Sequence, residues 1–512
     1  MDVKESLWQL LHYAGYLLLL RCLLVYSYRL WFHPLSKYPG PFLAKISNLY
    51  AAYHALRMRL HLAAAHDHAR YGSVIRHGPN KLIFNTAGGL QDIYQNDRIT
   101  KSHVYAITQP KPDIFMIFNA LDKRMHRSKR RIIGQGINDK AMRRFEPAMT
   151  EHIDLFVKLL SEHTRSKGFT NVTTSCKRMG MDVVGRLAFG AELNLQTEET
   201  NRFMIRSMIG GNYKHNVEMN GYVIRKITST IITSVYIKTW LKYLAWLRDI
   251  IVARQKEDVH AKADLYSFLA ETKDDETGKG LSLDEIWSEA QFFFPAGGDT
   301  TSSTLSAAFF YLSRYPDIYA RLANEIRSAF TSSEQIHNGP QLASCTYLRA
   351  VIDETLRISP PVPCILWREV PPNDPNPAPI VIDGHTLPRD TQLGTSIYAL
   401  HHNPTYFPDP YVFKPERFLP PAIPASSHPA FAAFSVGARG CAGKSMAYME
   451  ASLVLAKTLW FLDFERPDDR ASDSLGERTE GHGQGMEFET WDVFSATHDG
   501  PNLVFKKRKG VV

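Results

Sequence analysis

The stretch Phe434-Ser435-Val436-Gly437-Ala438-Arg439-Gly440-Cys441-Ala442-Gly443 decides how this chain is read. It is a glycine-punctuated loop with one cysteine. The apolar segment that follows, from Ala442 to about Phe461, reads as a helix. Cys441 therefore sits at a helix N-terminus, where backbone N–H groups and the helix dipole favour the thiolate over the thiol. Gly437 allows a tight turn with positive φ, and Gly443 lets the helix lie close to a bound group. Phe434 offers a flat apolar surface, and Arg439 carries a permanent charge able to fork onto a carboxylate. The spacing of Gly437, Gly440 and Gly443 differs from G-x-G-x-x-G, and no strand pattern precedes it, which argues against a phosphate cradle. An isolated cysteine in such a turn is usually a structural thiol. The whole decapeptide reads instead as a loop presenting one thiolate to a haem iron, with Phe434 under the macrocycle and Arg439 at a propionate.

The pattern Phe-x-x-Gly-x-Arg-x-Cys-x-Gly resembles the haem-binding signature of the cytochrome P-450 monooxygenases, and all five specified positions match. The resemblance implies heme b (iron protoporphyrin IX) held by Phe434, Gly437, Arg439 and Gly443, with Cys441 as the axial iron ligand. A cysteine ligand pushes electron density onto iron and favours O–O cleavage.

Three distant segments support the resemblance. Residues 282–314 read as one long helix, opened by a Ser282/Glu285 capping box and ended before Pro316. At about 1.5 Å per residue it spans close to 50 Å. Its middle, Pro295-Ala296-Gly297-Gly298-Asp299-Thr300-Thr301, weakens helical bonding and predicts a local kink; two shorter helices around a loop are the alternative. The segment resembles the family's oxygen-binding groove. That implies that Thr300 hydrogen-bonds dioxygen at the iron or its ordered water, that Asp299 relays protons inward, and that Ala296 leaves room above the haem. A hydroxyl that donates and accepts beside a carboxylate is compatible with this. Glu354 and Arg357 lie one turn apart in a helix that ends before Pro360, and Pro415-Glu416-Arg417-Phe418 follows downstream. By themselves these mean little. In the family, the residues matching Glu354, Arg357 and Arg417 form a buried structural cluster behind the haem loop. One departure is His126-Arg127-Ser128-Lys129-Arg130, standing where the family often has Trp-x-x-x-Arg; by that resemblance His126 and Arg130 reach a haem propionate, with Arg368 a further candidate.

Residues from Leu7 to about Trp31 are long and apolar enough for one membrane-spanning helix, interrupted by Arg21. The weak charged n-region and missing small-residue cleavage pattern argue against a signal peptide. Pro34, Pro39 and Pro41 then predict a stiff, non-helical exit, similar to the hinge of microsomal, especially fungal, family members. Arg29 and Lys37 favour a cytosolic catalytic domain, and the expected location is the endoplasmic reticulum membrane, single-pass. Five scattered cysteines suit a reducing compartment.

The expected fold class is mainly α with small β-sheets: a membrane anchor over 1–32, a proline-rich hinge over 33–45 and a single haem-thiolate catalytic domain over 46–512. Strands are predicted at 380–382 and 396–400, and surface loops over 272–280, 371–379, 420–429 and 467–485. The resemblance covers about residues 35–510 and leaves no stretch for a flavin or nicotinamide module. Electrons are therefore expected from NADPH through a separate NADPH-cytochrome P-450 reductase, with cytochrome b5 as a second donor. The formal charge of +8 is crowded at Lys123, Arg124, Arg127, Lys129, Arg130, Arg131, Lys140, Arg143 and Arg144. This is read as a reductase-facing patch rather than a nucleic-acid surface. The basic run 506–509 reads as a solvated tail.

Apolar segments expected over the haem (114–118, 292–294, 362–367 and the hairpin at Phe494) suggest a lipophilic small-molecule substrate such as a terpenoid, polyketide or fatty acyl compound. The expected function is haem-thiolate monooxygenation by hydroxylation, epoxidation or multistep oxidation, in fungal secondary-metabolite biosynthesis. The alternatives are a reductase-independent haem-thiolate isomerase or dehydratase, and a membrane haem sensor.

Overall fold

The structure is a computed structural model that describes residues 3–221, 225–262, 264–274, 278–468, 477–478 and 487–508. The predicted loops over 272–280 and 467–485, and the end of the basic tail at Lys509, lie partly outside the described residues. The helices that build the site are α1 (Val3–Ser27), α2 (Lys123–Gly136), α3 (Asp139–Lys167), α4 (Val172–Phe189), α5 (Phe203–Asn220), α6 (Arg225–Gln255), α7 (Leu283–Phe293), α8 (Thr300–Arg314), α9 (Thr346–Ile358) and α10 (Lys444–Phe461).

The central helix begins with the predicted capping box. Ser282 Oγ accepts from the Glu285 N–H, and the Glu285 carboxylate accepts from the Ser282 N–H at 2.9 Å. Between α7 and α8, residues Phe294–Asp299 wind as a wider π turn rather than breaking the helix. Pro295 removes one donor there. The two glycines answer a crossing helix: a Cβ on Gly298 would meet Met181 Sδ at 2.6 Å, and one on Gly180 would meet the Gly298 carbonyl at 2.9 Å. Backbone approach to α4 thus requires Gly180, and a side chain at Gly298 would displace Met181. Ser306 and Thr304 of α8 bond back to their own helix, at Ser302 O (2.8 Å) and Thr300 O (3.1 Å), whereas Ser303 Oγ reaches across to Ala496 O at 3.0 Å.

Strands are short. β1 (Val74–Gly78), β2 (Lys81–Phe84), β3 (Thr100–Lys101), β4 (Arg368–Glu369) and β5 (Gln392–Gly394) form one sheet in the order β1-β2-β5-β4-β3. The β2–β5 pairing is parallel and the others are antiparallel. The predicted strand over 380–382 is present, paired with His385–Leu387. The one predicted over 396–400 is not. Ser396 Oγ accepts from the Ala399 N–H and caps a helix, Ile397–His401, because a serine followed by an apolar run is also a helix start. A hairpin of β6 (Trp491–Val493) and β7 (Ser495–Thr497) turns at Phe494, whose φ is 82°.

The apolar segment at the N-terminus is helical through Arg21 to Phe32, and none of its 18-residue apolar window is buried, with side chains such as Leu11 and Leu18 exposed. It is long and apolar enough to cross a membrane. The chain then leaves through prolines and is pinned to the sheet. The Arg76 N–H donates to Pro39 O at 2.7 Å, and Arg76 Nη1 to Arg29 O at 2.6 Å. All five cysteines, including Cys22, Cys176, Cys345 and Cys364, are free.

Candidate active site

The cysteine loop and the π turn of the central helix face one internal cavity of about 680 Å³. The loop is closed by its own backbone: the Cys441 N–H donates to Phe434 O at 2.8 Å and the Gly440 N–H to Gly437 O at 3.0 Å. Gly437 takes φ 74°, and a Cβ there would lie 2.2 Å from Tyr94 O, so glycine is required on two counts. Arg130 on α2 reaches across to the carbonyls of Gly440 at 2.6 Å and Cys441 at 3.2 Å. It therefore ties α2 to the loop, and Arg130 also lines the cavity.

The Cys441 side chain is accessible, and the surface it presents lines the cavity. Away from bulk water, burial raises its pKa, opposed by a hydrogen bond from the Gly443 N–H and by the charges of Arg130 and Lys444. The helix N-terminus predicted to favour the thiolate is present but does not outweigh desolvation alone. A cation bound at the sulfur would reverse that balance.

Thr300 and Ala296 lie on the cavity wall, with Thr300 Oγ1 donating to Ala296 O at 2.6 Å. Asp299 does not line the cavity. It is 2% exposed, and its carboxylate accepts from Ser495 Oγ at 2.6 Å, with Lys177 Nζ at 3.8 Å. The predicted neighbours are thus adjacent in sequence but face different surroundings.

His126, Arg368, Arg439 and Lys101 gather along one margin of the cavity. Arg439 donates to Ala120 O, to Leu121 O at 3.0 Å and to Thr100 Oγ1 at 3.1 Å. The Arg368 guanidinium lies 4.7 Å from the centre of the Tyr94 ring. Burial first, and then mutual repulsion, lowers every member with a resolved shift: His126 to about 3, Arg439 to about 10, and Lys101 well below its ordinary value. Lys101, on β3, was not predicted. Nothing in its local sequence distinguishes it from a surface lysine, and only the sheet brings it to Arg368.

Behind the loop, Glu354 receives Arg357 at 2.7 and 2.8 Å and Arg417 at 3.2 Å. Arg357 also donates to the carbonyls of His401 and Pro410 at 2.9 and 2.8 Å. The buried charges are paired and their remaining hydrogens are used, the condition for tolerating them. Over the cavity, Phe118 stacks on Phe292 at 5.0 Å and meets Phe494 edge-on at 5.2 Å. Of the predicted apolar segments, Met116 to Phe118, Phe292, Phe293, Val362, Leu366 and Phe494 line the cavity, whereas Phe294 and Trp367 are core. The basic patch is smaller than predicted. Lys129 is buried against Glu285 at 2.9 Å, and Arg131 pairs with Asp274 at 2.8 Å, leaving Arg124, Arg127, Lys140, Arg143 and Arg144 exposed.

This arrangement fits haem on the chain's own chemistry. A flat macrocycle with one axial sulfur and two carboxylates matches an accessible cysteine on a glycine-bounded wall beside a convergence of cations that repel one another. At Gly443 an added Cβ would meet nothing within 4 Å, so that face of the loop is open.

Comparison with known proteins agrees. The sequence model of the cytochrome P450 family matches residues 78–480. Cytochrome P450 monooxygenase apf7 of Gibberella fujikuroi is 34% identical, covering 98% of each chain. The monooxygenase AKT7 of Alternaria alternata is 34% identical over 94% of each, and poxM of Penicillium oxalicum 36% over 85% of each. With the cysteine loop, the π-turned central helix and the Glu354 cluster in place, the family match settles the class: the chain belongs to the cytochrome P450 family and is a haem-thiolate monooxygenase.

Proposed function

We propose that the chain inserts one oxygen atom from dioxygen into a lipophilic small molecule, by hydroxylation, epoxidation or successive oxidation, in fungal secondary metabolism. Cys441 holds the iron of heme b, Phe434 and Gly443 bound the macrocycle, and Lys101, His126, Arg368 and Arg439 receive its propionates. When bound, haem supplies the activation of dioxygen. The residues around it orient, exclude water and move protons: Thr300 holds a hydrogen-bonding hydroxyl at the cavity wall, Asp299 helps relay protons inward, and the Phe118–Phe292–Phe494 cluster keeps the chamber dry and receives apolar substrate. The full-length similarity to fungal monooxygenases supports the pathway class.

Electrons come from NADPH through a separate cytochrome P-450 reductase, with cytochrome b5 as a second donor. Arg124, Arg127, Lys140, Arg143 and Arg144 form the surface where an acidic partner would be steered. The enzyme sits in the endoplasmic reticulum membrane, anchored by 1–32 and joined through the hinge 33–45 to a cytosolic catalytic domain; the exposed apolar N-terminal helix supports the anchor.

The observation that carries this reading is the accessible Cys441 on the same cavity as Thr300 and the cation cluster. The test is the absorption spectrum of the reduced protein with carbon monoxide. A strongly red-shifted Soret band is expected in the wild type and lost in Cys441→Ala; a band typical of histidine-ligated haem in the folded wild type overturns it. NADPH consumption with added reductase separates monooxygenation from reductase-independent isomerisation or dehydration.

A further inference from the structure

A second pocket, of about 690 Å³, shares no lining residue with the cavity that Cys441 faces. The sheet divides the two. Arg368 and Glu369 are neighbours on β4, so their side chains leave opposite faces; Arg368 lines the cavity and Glu369 lines the pocket. On the pocket face β2 contributes Lys81, which is 5% exposed. Its ammonium lies 4.6 Å from the centre of the Trp367 ring and has no hydrogen-bond or ion-pair partner among the described residues. An ammonium offers three donors, and an aromatic face answers only its charge. Burying a cation without an acceptor is costly, and burial, only partly offset by Glu369, brings the Lys81 pKa down to about 8. The Glu369 carboxylate accepts instead from the His103 N–H at 2.7 Å and from Ser102 Oγ at 2.8 Å. Arg29 also lines the pocket. It belongs to the final turn of the apolar N-terminal segment, Tyr28–Phe32, and its Nη1 donates to Ile46 O at 2.6 Å. Arg389 completes the basic lining, and Asp390 joins Glu369 on the acidic side. Three basic groups facing two carboxylates leave one positive charge unmatched, and His103, whose pKa Glu369 raises, adds to it as pH falls.

We propose that this pocket is a binding site for the phosphodiester of a membrane phospholipid, with Lys81 donating to a phosphate oxygen. A phosphodiester carries one negative charge and oxygens that only accept, which matches both the charge balance of the lining and the unmet donors of Lys81. Free phosphate is a poorer match, because near neutral pH it carries most of a second charge, and that charge would face Glu369 and Asp390. Arg29 supplies the address. It stands where an anchored chain leaves the hydrocarbon, the depth at which lipid headgroups lie and at which basic side chains meet them. The proposal rests on the membrane attachment given above and adds to it one specific lipid contact, on the face of the sheet turned away from the haem cavity.

The test uses the full-length, haem-loaded enzyme in a nonionic detergent and dihexanoylphosphatidylglycerol, a short-chain phospholipid that dissolves. Native mass spectrometry is expected to show a lipid adduct that Lys81→Met weakens roughly 10- to 100-fold, the loss of one charge-assisted bond, and that Lys81→Arg retains. Acetic anhydride labelling of Lys81, read by peptide mass spectrometry, gives a second measure: the lipid should protect the amine and move its titration midpoint upward. The carbon monoxide spectrum should be the same in all three proteins, because pocket and cavity share no residue. Inorganic phosphate that protects Lys81 at the same concentration as the lipid would make this a site for free phosphate and overturn the lipid assignment. A lipid adduct equally strong in Lys81→Met, or Lys81 labelling unaffected by either probe, overturns the site itself. The dissolved lipid needs no bilayer, so failure of the anchor would show separately, as release of the full-length chain from microsomes by carbonate.

Discussion

The imidazole of His401 donates from Nδ1 to the carbonyl of Arg357 at 3.0 Å and accepts at Nε2 from the Ala432 N–H at 2.8 Å. A carbonyl only accepts and an amide N–H only donates, so the tautomer is fixed and the ring is neutral. Ala432 is two residues from Phe434, so one buried histidine joins the Glu354–Arg357–Arg417 cluster to the start of the cysteine loop. The link explains how an ion cluster behind the loop can set the position of a sulfur in front of it.

Replacing His401 by leucine strands a buried donor at Ala432 and a buried acceptor at Arg357, each costing about 1–3 kcal/mol. The expected result is a lower melting temperature by circular dichroism, with haem absorbance lost in the same transition. The pH dependence has a definite sign. Burial first, then Arg357, lowers the His401 pKa from 6.5 to about 3, so the unfolded chain binds the proton more readily. Stability from this group is full above pH 6.5 and falls as pH drops from 6.5 toward 3, by about 1.4 kcal/mol per unit. Urea melts at pH 7.5 and 5 should show the loss, and His401→Leu should have a flatter pH profile than wild type.

Glu354 makes the sharper structural prediction. Glu354→Gln removes the one negative charge facing two arginines, of which Arg357 is completely buried. Breaking a buried pair in this way costs about 3–5 kcal/mol. The variant should express poorly and yield little haem-loaded protein, measured as haem absorbance per unit protein; near-normal haem content would mean that the cluster is not what holds the loop.

The sequence marked these parts unequally, and the reason is physical. Residues that contact neighbours within a turn or two leave a spacing, as with the capping box at Ser282, the decapeptide at 434–443 and the Glu354/Arg357 pair. Residues assembled by the fold leave none. Lys101 reaches Arg368 only through strand pairing, and Ser495 reaches Asp299 only because a hairpin near the C-terminus packs on the central helix. Where two local rules compete, the reading can go wrong, as at 396–400, where β-suited side chains follow a serine that caps a helix. The wide turn at 294–299 was legible as a kink, because proline and glycine announce weak helical bonding, but the reason for Gly298 lay in Gly180 on another helix.

Lys101 separates the cation cluster from ordinary surface charge. Its pKa is held well below the usual lysine value by burial first and then by Arg368 and Arg439, so an anion arriving there gains a charge-assisted partner. Lys101→Met keeps the stem and removes the charge. Haem transfer to apomyoglobin should be faster in this variant than in wild type by roughly tenfold, the equivalent of about 1.4 kcal/mol, while the carbon monoxide spectrum stays red-shifted because the sulfur is untouched. Lys101→Arg should recover most of the retention.

Thr300→Ala and Thr300→Val test the distal hydroxyl. Both remove the bond to Ala296 O without touching the loop that carries Cys441. Haem content and the carbon monoxide band should match wild type, while NADPH oxidation should release more hydrogen peroxide per dioxygen consumed. Unchanged peroxide yield in both variants would remove Thr300 from any role in managing dioxygen.

Two apolar features of the chain suit a bilayer, and they can be tested apart. No described residue of the span Lys4–Phe32 is buried, while Phe42 and Leu43 within the hinge are 62% and 59% exposed and Leu49 and Tyr53 lie close behind. A transmembrane helix of this length inserts essentially irreversibly, whereas a few surface apolar side chains give only reversible attachment. Full-length protein should therefore resist carbonate extraction from microsomes. A chain starting at residue 33 should be released by carbonate yet still sediment with phosphatidylcholine vesicles, and adding Phe42→Ser and Leu43→Ser should leave it in the supernatant. If the shortened chain shows no vesicle binding before those substitutions, the helices after the hinge do not touch the bilayer and the anchor alone holds the enzyme to it.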